Sequence, residues 1–106
     1  MARLYDTALM PEPHSDPRDI RCRRLLFRAT HRGTHENDLL LGGFLRAQMA
    51  SLGDADLTAM EALLELPDPD LADWLTGRQP IPADLESLMG HGVGPMLHRI
   101  RTAVAR

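Results

Sequence analysis

The sequence predicts an all-α fold, a small antiparallel bundle of about five helices. Three observations predict it. Apolar residues recur at i, i+3, i+4 and i+7 through most of the chain. No window alternates convincingly, so strands are not expected. Prolines, glycines and capping Asp or Thr residues fall between the periodic stretches, and the loops they imply are short. At 106 residues the chain is one domain's worth, and 43% hydrophobic with 25% charged residues is ordinary for a soluble globular protein. A domain of this size buries only about 60–70% of its unfolded surface. A deep active site would compete with one modest core for the same residues, so the composition favours a binding module over an enzyme.

The elements follow in order. Met1–Asp16, with Pro11, Pro13, His14 and Ser15, has no period and reads as a flexible arm before a single domain over 17–106. A first helix is expected from about Pro17 to Thr30. Asp16 is its N-cap, Pro17 suits its first position and Asp19 complements its positive end. Its apolar stripe is Cys22, Leu25, Leu26 and Ala29. Gly33 then ends it or forms the connection. A second helix runs from His35 or Glu36 to Ser51, with Thr34 as cap and Leu41, Phe44, Leu45, Gln48, Met49 and Leu52 on one face. Gly42-Gly43 inside it costs about 1 kcal/mol per glycine relative to Ala, which points to close approach of another helix. A third helix opens at Asp54 or Asp56, carries Leu57, Met60, Leu63 and Leu64, and is terminated by Pro67. Asp68 caps a short fourth helix bearing Leu71, Trp74 and Leu75, with Trp74 read as a core anchor, and Gly77 ends it. A fifth begins near Pro82–Asp84 with Leu85, Leu88 and Met89. Gly90, Gly92, Gly94 and Pro95 interrupt it, and Met96, Leu97, Ile100 and Val104 resume the period.

Several classes fall away. One cysteine, Cys22, excludes an internal disulfide framework and fits a reducing compartment; on the apolar stripe it reads as an inert buried thiol. The apolar stretches are far short of the roughly 20 residues a membrane span needs. Met1–Asp16 lacks an apolar h-region and carries Asp6, Glu12 and Asp16, so it fits neither a secretory signal nor a transit peptide, and the bacterial cytoplasm is expected. His31 and His35 lie four apart, but Gly33 between them breaks the helix and no metal-ligand spacing is present, so no metal site is expected.

The net charge of −3 conceals an asymmetry. Pro17–Arg32 holds six arginines against one acid, whereas Glu36–Glu86 holds eleven acids against Arg46 and Arg78. All twelve basic residues are Arg, the better group for bidentate contacts at an interface. An arginine-rich helix raises a nucleic-acid or regulatory reading as an alternative. Against it, Arg23 and Arg24 differ by about 100° around the helix, the chain is acidic, and aromatics for base stacking are few.

The segment Arg32-Gly33-Thr34-His35-Glu36-Asn37-Asp38 is the most informative. Each residue has an ordinary role in a helix connection, yet so dense a cluster of charge around a glycine suits a partner better than a core. Arg32-Gly33-x-x-Glu36, followed by Asp38 and an apolar helix, resembles the RGxxE signature of the succinate dehydrogenase assembly factor 2 family. Asp68-Pro69-Asp70-Leu71-Ala72-Asp73-Trp74-Leu75 resembles that family's D-x-D-L-x-x-W segment, and Arg23, Arg24 and Leu25 fall where it places a basic first helix. The resemblance covers roughly Arg18 to Met89.

This resemblance implies a five-helix bundle that is not itself an enzyme. It would bind the flavoprotein subunit of succinate dehydrogenase, often also that of fumarate reductase, near the flavin, and promote covalent attachment of FAD. The cofactor is then the partner's and none is held stably by this chain; the free form is expected to be a monomer. The resemblance gives Arg32 charge-assisted contacts to the partner and Gly33 close backbone approach where a Cβ would clash. Glu36 would reach toward the flavin-linking histidine or steady the motif through Arg32. Asp38, Arg24 and Asp70 are further contact candidates.

Overall fold

Asp16 opens the first helix by accepting the amide of Asp19 on its carboxylate at 2.8 Å, and Pro17 sits at the first position, where a missing N–H loses nothing. The computed structural model describes residues 16–105, so the arm expected over Met1–Asp16 lies outside the described residues except for Asp16. Helix α1 is Pro17–Thr30 and α2 is His35–Gln48, tightening into a 3-10 turn at Met49–Ser51. Then come α3 (Asp54–Leu63), α4 (Asp68–Thr76), α5 (Leu85–Met89) and α6 (Val93–Val104). No strand occurs among the described residues.

The expected stripes form the core. Cys22, Leu25, Leu41, Leu45, Leu57, Met60, Leu63, Leu71, Leu75 and Leu97 are all buried, each large apolar side chain contributing roughly 1.5–3 kcal/mol. Trp74 is half-buried and packs against this cluster. Leu88 departs from its expected stripe and is 74% exposed.

Helix α6 is the hub, packing on α2, α3, α4 and α5. The glycine-rich stretch that sequence reasoning treats as an interruption therefore splits one expected helix into two, giving six. Pro95 falls in the first turn of α6, whose amides have no intrahelical acceptor, so the proline costs no hydrogen bond there. The open amides of Gly92 and Gly94 donate instead to the Glu86 carboxylate of α5, at 2.9 and 3.1 Å.

Three other expectations are corrected. Thr34 precedes α2 but makes no side-chain cap; Asp38 reaches back instead and accepts the amide of Arg32 at 3.1 Å. Helix α3 ends at Leu63, well before Pro67, and runs on as a hydrogen-bonded turn over Leu64–Leu66. Asp68 is the first residue of α4, not its cap, because its carboxylate is engaged elsewhere. At Gly42–Gly43 only the first glycine is needed for packing. A Cβ on Gly42 would lie 2.7 Å from Thr30 Cγ2 of α1, whereas one on Gly43 would meet nothing within 4 Å.

Candidate partner-docking site

Four of the six arginines between Pro17 and Arg32 are committed inside the chain. Arg18 donates to the carbonyls of Met49 and Leu52 at 2.8 and 2.6 Å, closing the end of α2 and its 3-10 turn. Arg21 forms a two-pronged pair with Glu61, both bonds 2.8 Å, and also donates to Thr58. That hydrogen bond, with the arginine's charge, holds the Glu61 carboxyl below its ordinary range despite opposing desolvation. Arg28 pairs with Glu65 at 2.7 Å.

Arg32, the motif arginine, is turned inward, and its side chain is 12% exposed. Its Nε donates to Asp68, while its two terminal nitrogens donate to the carbonyls of Leu64 and Leu66 at 2.7 and 2.6 Å. These carbonyls lie at the negative end of α3, so the guanidinium caps that helix from another element. Asn37, fully buried, donates from Nδ2 to the Asp68 carbonyl and carboxylate at 2.9 and 3.1 Å. Both partners are acceptors, which fixes the amide orientation. Its Oδ1 has no protein donor among the described residues. Burial pushes the Asp68 carboxyl upward, but the hydrogen bonds from Arg32 and Asn37 and the Arg32 charge outweigh it and leave it below the ordinary range.

The two motif segments thus meet. Arg32 and Asn37 from the RGxxE turn clasp Asp68 from the D-x-D-L-x-x-W block. Glu36 joins the same block on the outside: Arg78 bridges it at 3.2 Å to Asp73 at 3.1 Å. Hydrogen bonds to Glu36 and then Asp73 raise the Arg78 guanidinium further above its ordinary value. The Glu36 side chain remains 49% exposed. Gly33 stands between the inner clasp and this outer bridge, exposed, with φ of +98° and open space where a Cβ would be. Its conformation alone favours glycine.

The network places the expected residues as follows. Arg32, expected to offer its guanidinium to a partner, has its Nε and both terminal nitrogens engaged inside the chain. Asp38, half-buried, pins the Arg32 amide. Gly33 and Glu36 are presented to solvent. Asp70 is exposed one turn before Asp73. Arg24 is exposed on α1, nearly two turns before the helix ends at Thr30. Neither Arg24 nor Asp70 has an ion-pair partner among the described residues.

Two residues that the pattern reading passes over matter here. Asn37 stands one turn before Leu41 on the buried face of α2, and a polar residue at a core register is the signal that marks it. Phe27 lies on the outer side of α1, 62% exposed and stacked on His31 with ring centroids 3.9 Å apart. The signal for it is an aromatic off the apolar stripe.

Among the described residues no group of three or more His, Cys, Asp or Glu is arranged to hold a metal, and no helix is long and apolar enough to cross a membrane. A flavin dinucleotide would need a cradle for its pyrophosphate. The glycine-rich entry to α6 is the nearest sequence match to one, but Glu86 already occupies its amides. The residues do not fit the cofactor there.

A family model described as "Flavinator of succinate dehydrogenase" matches residues 23–103. The chain belongs to this family. The match runs through α6, past Met89 where the motif resemblance ends. The chain is 49% identical over 80 residues to the FAD assembly factor SdhE of Acetobacter pasteurianus, covering 76% of this chain and 67% of that protein. It is 40% identical over 74 residues to the mitochondrial succinate dehydrogenase assembly factor 2 of Mycosarcoma maydis, covering 70% and 31%. With the same-named protein of Dictyostelium discoideum it shares 35% over 65 residues, covering 61% and 46%. The chain thus spans less than half the length of these two mitochondrial relatives. No solved structure matches it at a significant level.

Proposed function

We propose that this chain is the assembly factor that promotes covalent attachment of FAD to the flavoprotein subunit of succinate dehydrogenase, with the fumarate reductase subunit a second client. It acts as a monomer in the bacterial cytoplasm, holds no cofactor and carries no catalytic residue. Its docking edge is the turn from Arg32 to Asp38, with Gly33 and Glu36 facing the partner and Arg24 and Asp70 at the margins. Arg32 and Asp38 act from behind, by shaping that edge.

The observation that carries this reading is the convergence of both motif segments on one exposed glycine turn, clamped from within and open outside. A turn held this way presents its backbone at little entropic loss on binding. The flavin chemistry belongs to the subunit and its cofactor; the factor favours the arrangement of the subunit in which that chemistry proceeds. The alternative, phosphate tracking by the arginine-rich helix, has only Arg23 and Arg24 left unpaired among the described residues, since Arg18, Arg21, Arg28 and Arg32 are engaged.

The test is deletion of the gene. The flavoprotein subunit should then lack covalent flavin, read as lost in-gel fluorescence after denaturation. Normal covalent flavin in the deletion strain refutes the assignment. Gly33→Arg meets no atom of this chain but is strained at φ +98°, a cost of about 1–2 kcal/mol that a folded domain can bear, so it should keep the helical circular dichroism and lose co-purification with the subunit.

A further inference from the structure

We infer that the outer face of α1 is a second contact surface for the flavoprotein subunit, built as an aromatic anchor with cationic neighbours and suited to an apolar pocket with an acidic rim. The inference rests on the assembly-factor reading and extends it away from the RGxxE turn. Successive residues step about 100° around a helix, so Arg23, Arg24, Phe27 and His31 fall within one sector of about that width, opposite the buried stripe. All four are exposed.

The anchor is set in place before any partner arrives. His31 Nδ1 lies 2.8 Å from the carbonyl of Phe27, which can only accept, so Nδ1 carries the proton and the imidazole orientation is fixed. That imidazole lies nearly parallel to the phenyl ring, at an interplanar angle of 16°. Aromatic and arginine side chains are enriched among residues that dominate binding, and an ordered one loses little freedom on docking.

Charge indicates the occupant. The chain has fifteen acids, and four arginines of this segment find oxygen acceptors within it. Arg23 and Arg24 have no ion-pair partner among the described residues. Two guanidinium groups unmatched among the described residues, beside an exposed phenyl ring, fit a surface that supplies carboxylates around an apolar depression. The face is also continuous with the proposed docking edge. A shallow groove lined by Phe27, Arg28, His31, Arg32 and Asp68 joins Phe27 to the clasp behind Gly33. One rigid partner can cover both.

The experiment titrates the purified apo-flavoprotein subunit with full-length chain at several salt concentrations. Wild type is compared with Phe27→Ala, with Arg23→Glu/Arg24→Glu, and with Gly33→Arg; circular dichroism confirms that each is folded. Phe27→Ala should raise Kd by about tenfold or more, and the charge-reversed variant should raise it similarly and flatten the salt dependence. If Gly33→Arg loses binding while the α1 variants bind like wild type, this inference falls and the assembly-factor reading stands. If wild type does not bind the subunit, that reading falls and takes this one with it. Binding of a DNA duplex that the charge reversal abolishes, with subunit binding unchanged, also overturns the inference.

Discussion

Arg32→Ala separates what the motif arginine does from what its family signature suggests. The substitution removes three charge-assisted hydrogen bonds from a side chain that is 12% exposed. Each such bond contributes about 1.5–3 kcal/mol net, but the terms do not add. Water can enter the vacated space and solvate the carbonyls of Leu64 and Leu66, which lie at a helix end. Asp68, with its side chain 20% exposed, then keeps only Asn37. Breaking a largely buried pair in this way costs about 3–5 kcal/mol. Against a total stability of about 5–15 kcal/mol for a domain, the thermal midpoint should fall on the order of 15 °C. Arg32→Lys keeps the charge but not the planar fork, and should recover part of the loss. The assay is thermal unfolding followed by far-UV circular dichroism. A midpoint for Arg32→Ala within about 2 °C of wild type would refute the clasp. If the drop is seen, loss of flavinylation by this variant in cells measures unfolding as much as docking.

Three further outcomes are expected. Glu36→Ala removes an exposed pair with Arg78 and should change stability by no more than about 1 kcal/mol, so impaired flavinylation by that variant, with an unchanged midpoint, assigns Glu36 to docking. Gly42→Ala forces a methyl group against Thr30 and should destabilise by about 1–3 kcal/mol, while Gly43→Ala, one residue on and with open space, should stabilise by roughly 0.5–1 kcal/mol; paired thermal melts decide. Asp68 has a depressed folded pKa, so its stabilising contribution is present above the unfolded value of about 3.9 and is lost as pH falls through the lower folded value. Acid titration should therefore lower the wild-type midpoint more steeply than that of Asp68→Asn, and identical acid profiles would contradict the assignment.

Helix bounds are legible in this sequence where the signals are local. Asp16, Pro17, Gly77 and the apolar periods of α1 to α4 each act within a turn or two of where they stand. The destinations of the arginines are not legible, because each depends on an acceptor far along the chain. Arg32 caps a helix end 32 to 34 residues downstream, and Arg21 meets Glu61 at a separation of 40. Pattern alone spreads five arginines around α1 and sets a sixth just past its end; only packing sorts them into those with and without a partner among the described residues. The same limit explains Asp68. Its position before a short helix reads as a cap, and nothing nearby reveals that Arg32 and Asn37 claim its carboxylate. In the candidate site the sequence places Gly33 and Glu36 at an exposed turn, as the structure has them, but it does not reveal that the Arg32 guanidinium turns inward.

Both ends of α1 are fastened by residues made much later in synthesis: Arg18 to Leu52, and Arg32 to Leu64, Leu66 and Asp68. The glycine turn is therefore translated early but gains its shape only once the ribosome has released the chain through Asp68. A nascent or truncated fragment ending before that point holds the whole RGxxE signature without the geometry to use it. The proposed docking edge thus takes shape only after the last of its fasteners, Asp68, has been made.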